Sequence, residues 1–319
     1  MQGLILAAGR GTRLQPFTNT RTKAMAPIAG KPIVERVMAP MAANGITDFV
    51  VVYGPDDPEI QSYFQKNVPA EWRISWAVQR ERRGMGDALR SAIEQIHDDF
   101  MLSACDNLVP EGTVDELLRI WRQTPGLGGV LTLMQVPREK ISRSGIVELS
   151  DNRITRIVEK PHPDEAPTNI ASMPLYIFEK ELMAHIPNIP LSKRGEYELQ
   201  DAIQMHIDSG AALQGHRIET RQTLTSPADL LSINLRYLET ENPDYFSVSA
   251  KLGKNSSLVS PYFVEDGVVI GNDCEIGSNV FIENGAQIGS RVTLKNSVVL
   301  RNAIIPADTV VQDEVIFSE

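Results

Sequence analysis

The 319-residue sequence has few of the residues on which several classes of protein depend. Its only cysteines, Cys105 and Cys274, are too few and too far apart for a disulfide framework, and they lack zinc-ligand spacing. The five histidines also lack metal-ligand spacing. No apolar run approaches the length of a membrane span, and the first residues lack the layout of a signal peptide. We therefore expect a cytoplasmic protein without a membrane segment.

Basic residues are also in deficit, with 31 Lys and Arg against 41 Asp and Glu. A nucleic-acid partner is therefore not expected, because binding a phosphate backbone requires an extended basic surface. The residues up to Arg36 are different, since they include six basic side chains and only one acid, Glu35. This local excess predicts a site for an anionic ligand near the start of the chain.

Short apolar runs alternate with helical patterns in the first part of the chain. The predicted strands are residues 3–8, 49–53, 74–78 and 100–104, and the predicted helices are 33–44, 87–96 and 227–239. This alternation is typical of right-handed βαβ units. It predicts an α/β fold with a Rossmann-like, mixed but mostly parallel sheet flanked by helices. Ligands of such sheets bind beyond the carboxyl ends of the strands.

The apolar period changes to six residues near the C-terminus. One register contains Leu252, Leu258, Val264, Ile270, Ile276, Ile282, Ile288, Leu294 and Leu300. A second register contains Val268, Cys274, Val280, Ala286, Val292, Val298, Ile304 and Val310. Such hexads predict a short, left-handed parallel β-helix. We therefore expect two domains, residues 1–240 and 241–319, joined by a linker at about residues 240–249.

A glycine-rich loop follows the first predicted strand. Gly9 and Gly11, with Thr12 and Arg13, form a candidate phosphate-binding loop, because backbone amides without a neighbouring Cβ atom can approach anionic oxygens. Leu14 stands where the dinucleotide fingerprint requires its third glycine, and the loop lacks the GK[ST] ending of a P-loop. Both of these common nucleotide-binding motifs are disfavoured.

The complete string, L-A-A-G-x-G-T-R-L-x-P followed by K-x-x-x-P-x-x-G-K-P, resembles the signature of the sugar-1-phosphate nucleotidylyltransferases, or nucleoside-diphosphate-sugar pyrophosphorylases. The matching residues are Leu6, Ala7, Ala8, Gly9, Gly11, Thr12, Arg13, Leu14, Pro16, Lys23, Pro27, Gly30, Lys31 and Pro32. The resemblance implies that the nucleoside triphosphate is bound at Leu6, Ala8, Gly9, Gly11, Thr12 and Arg13. It also implies that Lys23 stabilises charge on the reacting phosphates.

Two later stretches follow the order of the same family. QRERRGMGDAL resembles an element in which Gln79 would contact the edge of a pyrimidine base and Gly84 would let the backbone approach it. The resemblance therefore favours UTP or dTTP. SACDNLV resembles a strand end whose acid, Asp106, ligates Mg²⁺.

Three further stretches resemble the part of the family that contacts the sugar phosphate. Gly145 in SGIVEL and Asn169 in TNIASMPLYIF match residues that contact the sugar. In IVEKP, Glu159 matches an acid that binds sugar hydroxyls, and Lys160 matches a base that binds the phosphate. A carboxylate beside an ammonium group suits a ligand with hydroxyls at one end and a phosphate at the other.

The implied reaction is transfer of a nucleotidyl group to a hexose 1-phosphate, with glucose 1-phosphate and N-acetylglucosamine 1-phosphate both open as acceptors. The phosphate monoester is largely dianionic at neutral pH, so it needs no general base. Catalysis then depends on positioning and on charge stabilisation by Arg13, Lys23, Lys160 and Mg²⁺.

One departure from the family leaves two alternatives open. RQTLTSPADL aligns with W-x-D-x-G-T-P-x-D-L, so Thr223 stands in place of the second metal-binding aspartate. A catalytically silent sugar-nucleotide-binding homologue is therefore one alternative, and an enzyme for a non-sugar phosphate such as phosphocholine is another. Some bifunctional relatives have an acetyltransferase in their β-helix, but no histidine follows His216 here. We expect this β-helix to act in packing or in homo-oligomer assembly.

Overall fold

The computed structural model describes residues 1–318. The chain forms two compact, discontinuous units, of which the first contains Met1–Gly9 and Val37–Arg221. The second contains Arg10–Arg36, called the loop segment below, together with Gln222–Glu319. The predicted domains, residues 1–240 and 241–319, are each one continuous stretch, whereas each of these units combines two separate stretches. The predicted boundary at residue 240 therefore stays a prediction.

A nine-stranded mixed sheet forms the centre of the first unit. Its strands are β1 (Gln2–Leu6), β2 (Asp48–Tyr53), β3 (Arg73–Val78), β4 (Phe100–Ala104), β5 (Leu127–Gln135), β6 (Gly145–Ser150), β7 (Arg153–Glu159), β8 (Ile170–Phe178) and β9 (Ala212–Arg217). They lie in the order β3-β2-β1-β4-β8-β5-β9-β7-β6, and β8 also pairs with β6. Strands β1 to β4 are mutually parallel, whereas β8 runs antiparallel to both of its neighbours β4 and β5. The predicted Rossmann-like mixed sheet is confirmed.

Residues 1–318 contain six α-helices, of which the last belongs to the second unit. They are α1 (Ile33–Ala43), α2 (Pro58–Asn67), α3 (Met85–Ser91), α4 (Thr113–Gln123), α5 (Leu199–Asp208) and α6 (Pro227–Glu241). Short 3₁₀ helices span Thr12–Leu14, Phe17–Asn19, Lys23–Met25, Ile93–Gln95, Arg138–Arg143, Lys180–Ala184 and Ile186–Asn188. Within residues 1–318, no helix is both long enough and apolar enough to cross a membrane.

The helix predicted over residues 87–96 is shorter in the structure. It ends at Ser91, because the amide of Ala92 bonds to the carbonyl of Leu89, a tighter 3₁₀ contact. The helix predicted at 227–239 is confirmed as α6, which begins with a capping box. Asp229 Oδ2 accepts from the amide of Ser226 at 2.7 Å, and the Ser226 hydroxyl accepts in return from the amide of Asp229.

Three parallel sheets form the C-terminal repeat of the second unit. The first sheet contains Asp244–Phe246, Tyr262–Val264, Val280–Ile282, Ser297–Val299 and Val315–Ile316; the second contains Lys251–Leu252, Val269–Ile270, Gln287–Ile288 and Ile304–Ile305; the third contains Ser257–Val259, Glu275–Gly277, Thr293–Lys295 and Val310–Gln312. Paired residues such as Val264 and Ile282 stack in one buried core. Further two-residue strands are Pro27–Ile28, Lys31–Pro32, Asn107–Leu108 and Gln222–Thr223.

The prediction of a linker at residues 240–249 was wrong in part. Residues Asp244–Phe246 form a strand because they pair in parallel with Tyr262–Val264, the next strand of the same sheet. Their backbone groups are therefore used in the sheet, as those of the later strands are. The segment extends the C-terminal repeat by one strand at its N-terminal end.

The predicted six-residue register also fails near the end of the chain. Val264 lies opposite Ile282, and Val280 lies opposite Ser297, so the second of these turns is one residue shorter than the first. This missing residue shifts the inward positions by one. Ile304 and Val310, predicted to be buried, are therefore 69% and 74% exposed, and their neighbours take the inward positions at 3% and 5% exposure.

The second unit contains a buried ion pair, with a half-buried glutamate one repeat earlier. Arg21 of the loop segment forms a two-pronged ion pair with Glu283 of the C-terminal repeat, with Nη2 and Oε2 separated by 2.8 Å. Glu283 Oε2 also accepts from the amide of Arg301 at 2.8 Å. Glu265 lies one repeat earlier and accepts from the amide of Asn284 at 3.0 Å.

The pKa of Glu265 predicts a pH-dependent stability. Burial, and then the Glu283 carboxylate, raise this pKa from 4.5 to about 7; Asp266 adds to the rise, and the Asn284 amide and Arg21 oppose it. Between pH 4.5 and 7 the native state therefore holds a proton that the unfolded chain has lost, so the free energy of unfolding falls as pH rises. We expect Glu265→Gln to flatten this slope in urea unfolding measured at pH 5, 6, 7 and 8.

The matched control for this experiment is Glu275→Gln, which changes an exposed glutamate of the same repeat. It should leave the wild-type slope unchanged. Equal slopes for wild type and Glu265→Gln would contradict the assignment of the proton to Glu265.

Candidate active site

The carboxyl ends of β1, β3 and β4 place three predicted site segments at one edge of the first unit's sheet. Ala8 and Gly9 follow β1, Gln79 follows β3, and Asp106 follows β4. Because these strands are parallel, the segments leave the sheet on the same side. Arg82 joins two of them, since its Nε donates to the carbonyl of Ala8 at 2.5 Å.

Gln79 and Gly84 contact protein groups in the first unit. The Gln79 side chain is buried, and its Nε2 donates to the carbonyl of Gly84 at 3.1 Å and to Asp87 Oδ2 at 2.9 Å. Gly84 has a φ of 92°, and a Cβ there would lie 2.7 Å from the Tyr197 carbonyl oxygen. The glycine therefore permits close approach of the Tyr197 backbone, and the predicted approach to a base stays a prediction.

Asp106 is half-buried beside a cation that sequence reasoning missed. Arg221 Nη1 donates to Oδ1 of Asn107, the residue after Asp106, at 3.1 Å. Burial lowers the pKa of Arg221, whereas the charge of Asp106 acts in the opposite direction. The guanidinium is therefore within electrostatic range of Asp106. The sequence did contain a signal for this residue, because Arg221 is the first residue of RQTLTSPADL and stands where the family pattern has tryptophan.

The donor set around Asp106 limits how a magnesium ion could bind. Across residues 1–318, no group of three or more His, Cys, Asp or Glu side chains is arranged to hold a metal ion. Thr223, the other predicted ligand, is half-buried and belongs to the second unit. One carboxylate suits a Mg²⁺ ion that takes most of its ligands from substrate phosphates and water, as such ions commonly do.

Strands β6 and β7 position the predicted sugar-phosphate residues of the first unit. Gly145 pairs with Glu159, and the amide of Lys160 donates to the carbonyl of Ser144 at 2.9 Å. A Cβ at Gly145 would lie 2.9 Å from side-chain atoms of Gln200 and Ser172, so no larger residue fits without displacing them. Asn169 is exposed, and its backbone carbonyl accepts from the amide of Val136 at 2.9 Å.

The Glu159 carboxylate has one satisfied and one unsatisfied oxygen. Its side chain is only 8% exposed, and Oε1 lies 2.9 Å from Lys160 Nζ and 3.6 Å from Arg194 Nη2. Oε2 is buried without a hydrogen-bond partner. Burial raises the pKa of Glu159, and Lys160 opposes the rise. Leaving such an acceptor unpaired costs about 1–3 kcal/mol, so a ligand hydroxyl at Oε2 would stabilise the site.

Arg194 is a second residue that sequence reasoning missed. Its Nη2 lies 2.6 Å from Oε1 of the buried Glu198 and also faces Glu159. Lys160 has a φ of 46°, in the left-handed region of backbone conformation that residues other than glycine rarely adopt. The cluster therefore contains two buried carboxylates, two cations and one strained backbone position, a combination that is common at functional sites.

The loop segment of the second unit contains the remaining predicted residues. Thr12 and Arg13 lie in a 3₁₀ turn and are exposed, and Lys23 begins the 3₁₀ turn Lys23–Met25 and is half-buried. Gly11 has a φ of 65°, and a Cβ there would lie 3.0 Å from Lys23 Cβ. The structure thus brings Gly11 and Lys23 together. Leu6 and Ala8 are buried in the first unit.

Comparison with protein families identifies the class of the chain. A family model described as "Nucleotidyl transferase" matches residues 2–220, and one described as "GMPPB C-terminal domain" matches residues 258–319. The chain belongs to the nucleotidyl transferase family. The predicted resemblance to sugar-1-phosphate nucleotidylyltransferases is confirmed by this match and by the relatives described next.

Three curated relatives show the range of the similarity. The "Bifunctional protein GlmU" of Methanococcus maripaludis is 33% identical over 274 residues, which are 85% of this chain and 62% of the relative. The "UTP--glucose-1-phosphate uridylyltransferase AglF" of Haloferax volcanii is 32% identical, over 69% of this chain and 88% of the relative. A "Glucose-1-phosphate thymidylyltransferase" of Streptomyces griseus is 32% identical, over 87% of this chain and 76% of the relative. The chain spans only 62% of the length of the GlmU relative.

Solved structures support the fold. A UDP-glucose pyrophosphorylase complexed with UDP-glucose has a TM-score of 0.67 at 20% identity, covering 75% of this chain and 98% of that chain. A UTP-bound UGPase from Acinetobacter baumannii has a TM-score of 0.66 at 22% identity, covering 75% of this chain and 93% of that chain. The α/β fold of this family is therefore shared.

The close approach at Gly84 predicts a large loss of stability on substitution. Gly84 has a φ of 92° and a ψ of −179°, a region essentially restricted to glycine. Gly84→Ala should therefore lower the free energy of unfolding by at least about 3 kcal/mol, because the methyl group also meets the Tyr197 carbonyl. Urea unfolding monitored by circular dichroism measures the change.

Gly195→Ala is the matched control, since Gly195 has a φ of 75° and open space where a Cβ would lie. It should cost only about 1–2 kcal/mol, the conformational part alone. Equal losses for the two variants would show that the contact with Tyr197 contributes nothing.

Proposed function

We propose that the chain transfers a nucleotidyl group from UTP or dTTP to a hexose 1-phosphate, giving a nucleoside-diphosphate sugar and pyrophosphate. Glucose 1-phosphate and N-acetylglucosamine 1-phosphate are the proposed acceptors. The similarity to a UTP–glucose-1-phosphate uridylyltransferase and to a glucose-1-phosphate thymidylyltransferase supports this reaction. A cytoplasmic location, a left-handed β-helix and a homo-oligomer are further parts of the proposal.

The arrangement at the end of β7 carries this proposal. Glu159 Oε2 is a buried acceptor without a partner, and the Lys160 ammonium lies at the other oxygen of the same carboxylate. Sugar hydroxyls would satisfy the oxygen, and a phosphate dianion would attract the ammonium. A sugar 1-phosphate supplies both groups in one molecule, whereas the choline end of phosphocholine has no hydroxyl for Oε2.

The proposed reaction proceeds by in-line displacement. An oxygen of the sugar phosphate forms a bond to the α-phosphorus of the nucleotide, and the bond from that phosphorus to the bridging oxygen breaks, so pyrophosphate leaves with the electron pair. No proton has to be removed, because the attacking phosphate is already ionised at neutral pH. Arg13, Lys23 and Lys160 would stabilise the phosphate charges. When bound, Mg²⁺ would be held by Asp106 and would neutralise charge on the nucleotide phosphates.

The hydrogen bonds of Gln79 support a preference for uracil or thymine. Its Nε2 is held by the Gly84 carbonyl and Asp87, which fixes the orientation of the amide. Oε1 is then the atom that would accept a hydrogen bond from a base. Uracil and thymine carry a ring N3–H donor, whereas N3 of cytosine is itself an acceptor.

Pyrophosphate release tests the proposed function. UTP, dTTP, ATP and GTP would each be incubated with Mg²⁺ and glucose 1-phosphate, N-acetylglucosamine 1-phosphate, galactose 1-phosphate or phosphocholine. We expect release with a pyrimidine nucleotide and a hexose 1-phosphate. Asp106→Asn should lower kcat at least 100-fold, whereas Asp115→Asn, at an exposed helix position, should not change it. If no pair gave release while sugar nucleotides still bound, the alternative of a catalytically silent, sugar-nucleotide-binding homologue would be favoured. That alternative arises because Thr223 replaces the second metal-binding aspartate.

Glu159→Gln tests the acceptor site separately. Hydrogen bonds to a charged group contribute about 1.5–3 kcal/mol, so KM for the sugar phosphate should rise by about 10- to 100-fold. KM for the nucleotide should change less than threefold in the same steady-state assay. Glu148→Gln, at an exposed position of β6, is the control. An unchanged KM for the sugar phosphate would exclude Glu159 from the acceptor site.

A further inference from the structure

The loop segment packs within the same compact unit as the C-terminal repeat. This unit joins Arg10–Arg36 with Gln222–Glu319, although the two stretches lie far apart in sequence. The loop segment contains Arg13 and Lys23, the proposed phosphate-binding residues. Its conformation therefore depends on side chains from the far end of the chain.

Helix α6 fixes the C-terminal part of the loop segment. The fully buried Asn234 accepts from the amide of Ala29 at 2.8 Å and donates to the carbonyl of Pro27 at 3.0 Å. Arg36 pairs with Glu241 of the same helix. These contacts involve residues that come after Lys23 in the sequence, and they leave the part of the loop segment before Lys23 without support from α6.

The C-terminal repeat fixes the part of the segment next to Lys23. Arg21 lies two residues before Lys23, and its guanidinium donates two hydrogen bonds to the two oxygens of Glu283. Arg21 is only 8% exposed and Glu283 only 6% exposed. The guanidinium also lies 4.5 Å from the centre of the Phe17 ring. Of the ion pairs described for residues 1–318, this is the one in which both side chains are buried.

The geometry of this pair restricts both partners. A two-pronged arginine–carboxylate contact fixes orientation as well as distance. Glu283 is itself held, because its Oε2 accepts from the amide of Arg301 within the repeat. A buried charge that loses its partner is strongly unfavourable. Removing the Glu283 charge would therefore drive Arg21 toward solvent and move the backbone that leads into Lys23.

We propose that Glu283 is a positioning residue for nucleotidyl transfer, acting through Arg21 to hold Lys23 and Arg13 in the geometry that binds the nucleotide phosphates. This inference rests on the proposed function. It gives the C-terminal repeat a role in the reaction, beyond packing or assembly. Glu283 would act through Arg21 alone and would not contact a substrate.

The test compares four proteins, all of full length. Glu283→Gln keeps the shape of the side chain and removes its charge. Arg21→Met combined with Glu283→Leu replaces the pair by apolar side chains of similar size, which can hold two buried segments together without charges. Asp308→Asn is the matched control, because Asp308 forms an exposed ion pair with Arg291 in the same repeat. Wild type completes the set.

Three readouts separate positioning from simple stabilisation. The first is kcat and KM for UTP and for the sugar phosphate, measured at a temperature below the onset of unfolding of every variant. The second is the melting temperature. The third is amide hydrogen exchange of peptides covering residues 10–26 in the free protein, which needs no activity.

For Glu283→Gln we expect kcat/KM for the nucleotide to fall at least tenfold, with KM for the sugar phosphate within threefold of wild type and with faster exchange in residues 10–26. The double variant should recover both slow exchange and most of the activity. Asp308→Asn should match wild type in all three readouts.

Three results would overturn the proposal. Wild-type kcat/KM in Glu283→Gln with a lowered melting temperature would make the pair structural only. A double variant with restored melting temperature and exchange but without activity would mean that Arg21 itself acts on the substrate. If the wild type released no pyrophosphate with any substrate pair, the proposed function would fail, whereas unchanged exchange of residues 10–26 in Glu283→Gln would refute the positioning role independently.

Discussion

The buried ion pair between Arg21 and Glu283 is the interaction on which the signature part of the chain depends. Neither charge can stay in the interior without the other, so the loop segment and the C-terminal repeat must fold together. The apolar core of the repeat and the hydrogen bonds of Asn234 stabilise the same unit. The glycine-rich loop takes its shape within that arrangement.

A second constraint acts in the first unit, where strand direction decides which side chains share an edge of the sheet. Parallel β1, β3 and β4 bring Ala8, Gln79 and Asp106 to one side, while the β6–β7 hairpin fixes Glu159 beside Lys160. The chemistry of these groups is complementary, since one carboxylate is shielded from water and several cations surround the acids. Anionic ligands with hydroxyl groups suit such a set.

Much of this could be predicted from the sequence because it depends on local patterns. The apolar run at Phe49 to Tyr53, the helical pattern over residues 227–239 and the hexads from Val264 to Leu294 each determine structure over short distances. The one-residue shift at Ser297 could not be predicted, because the doublets Ile304–Ile305 and Val310–Val311 are apolar in either register. Arg21 and Glu283 lie 262 residues apart, so only the fold shows that they pair. The unsatisfied oxygen of Glu159 likewise depends on three-dimensional packing.

The proposed chemistry of these residues is the transfer of a nucleotidyl group to a sugar phosphate. The most direct measurement uses UTP labelled with ³²P at the α-phosphate, incubated with Mg²⁺ and glucose 1-phosphate or N-acetylglucosamine 1-phosphate, followed by separation of the products on an anion-exchange column. We expect the label to move into a UDP-sugar, with one unlabelled pyrophosphate formed per molecule of product. The same reactions would be run in parallel with dTTP labelled at its α-phosphate. Nucleotidyl transfer would be contradicted if the label stayed in UTP and in dTTP with both acceptors, or if it moved into the nucleoside monophosphate.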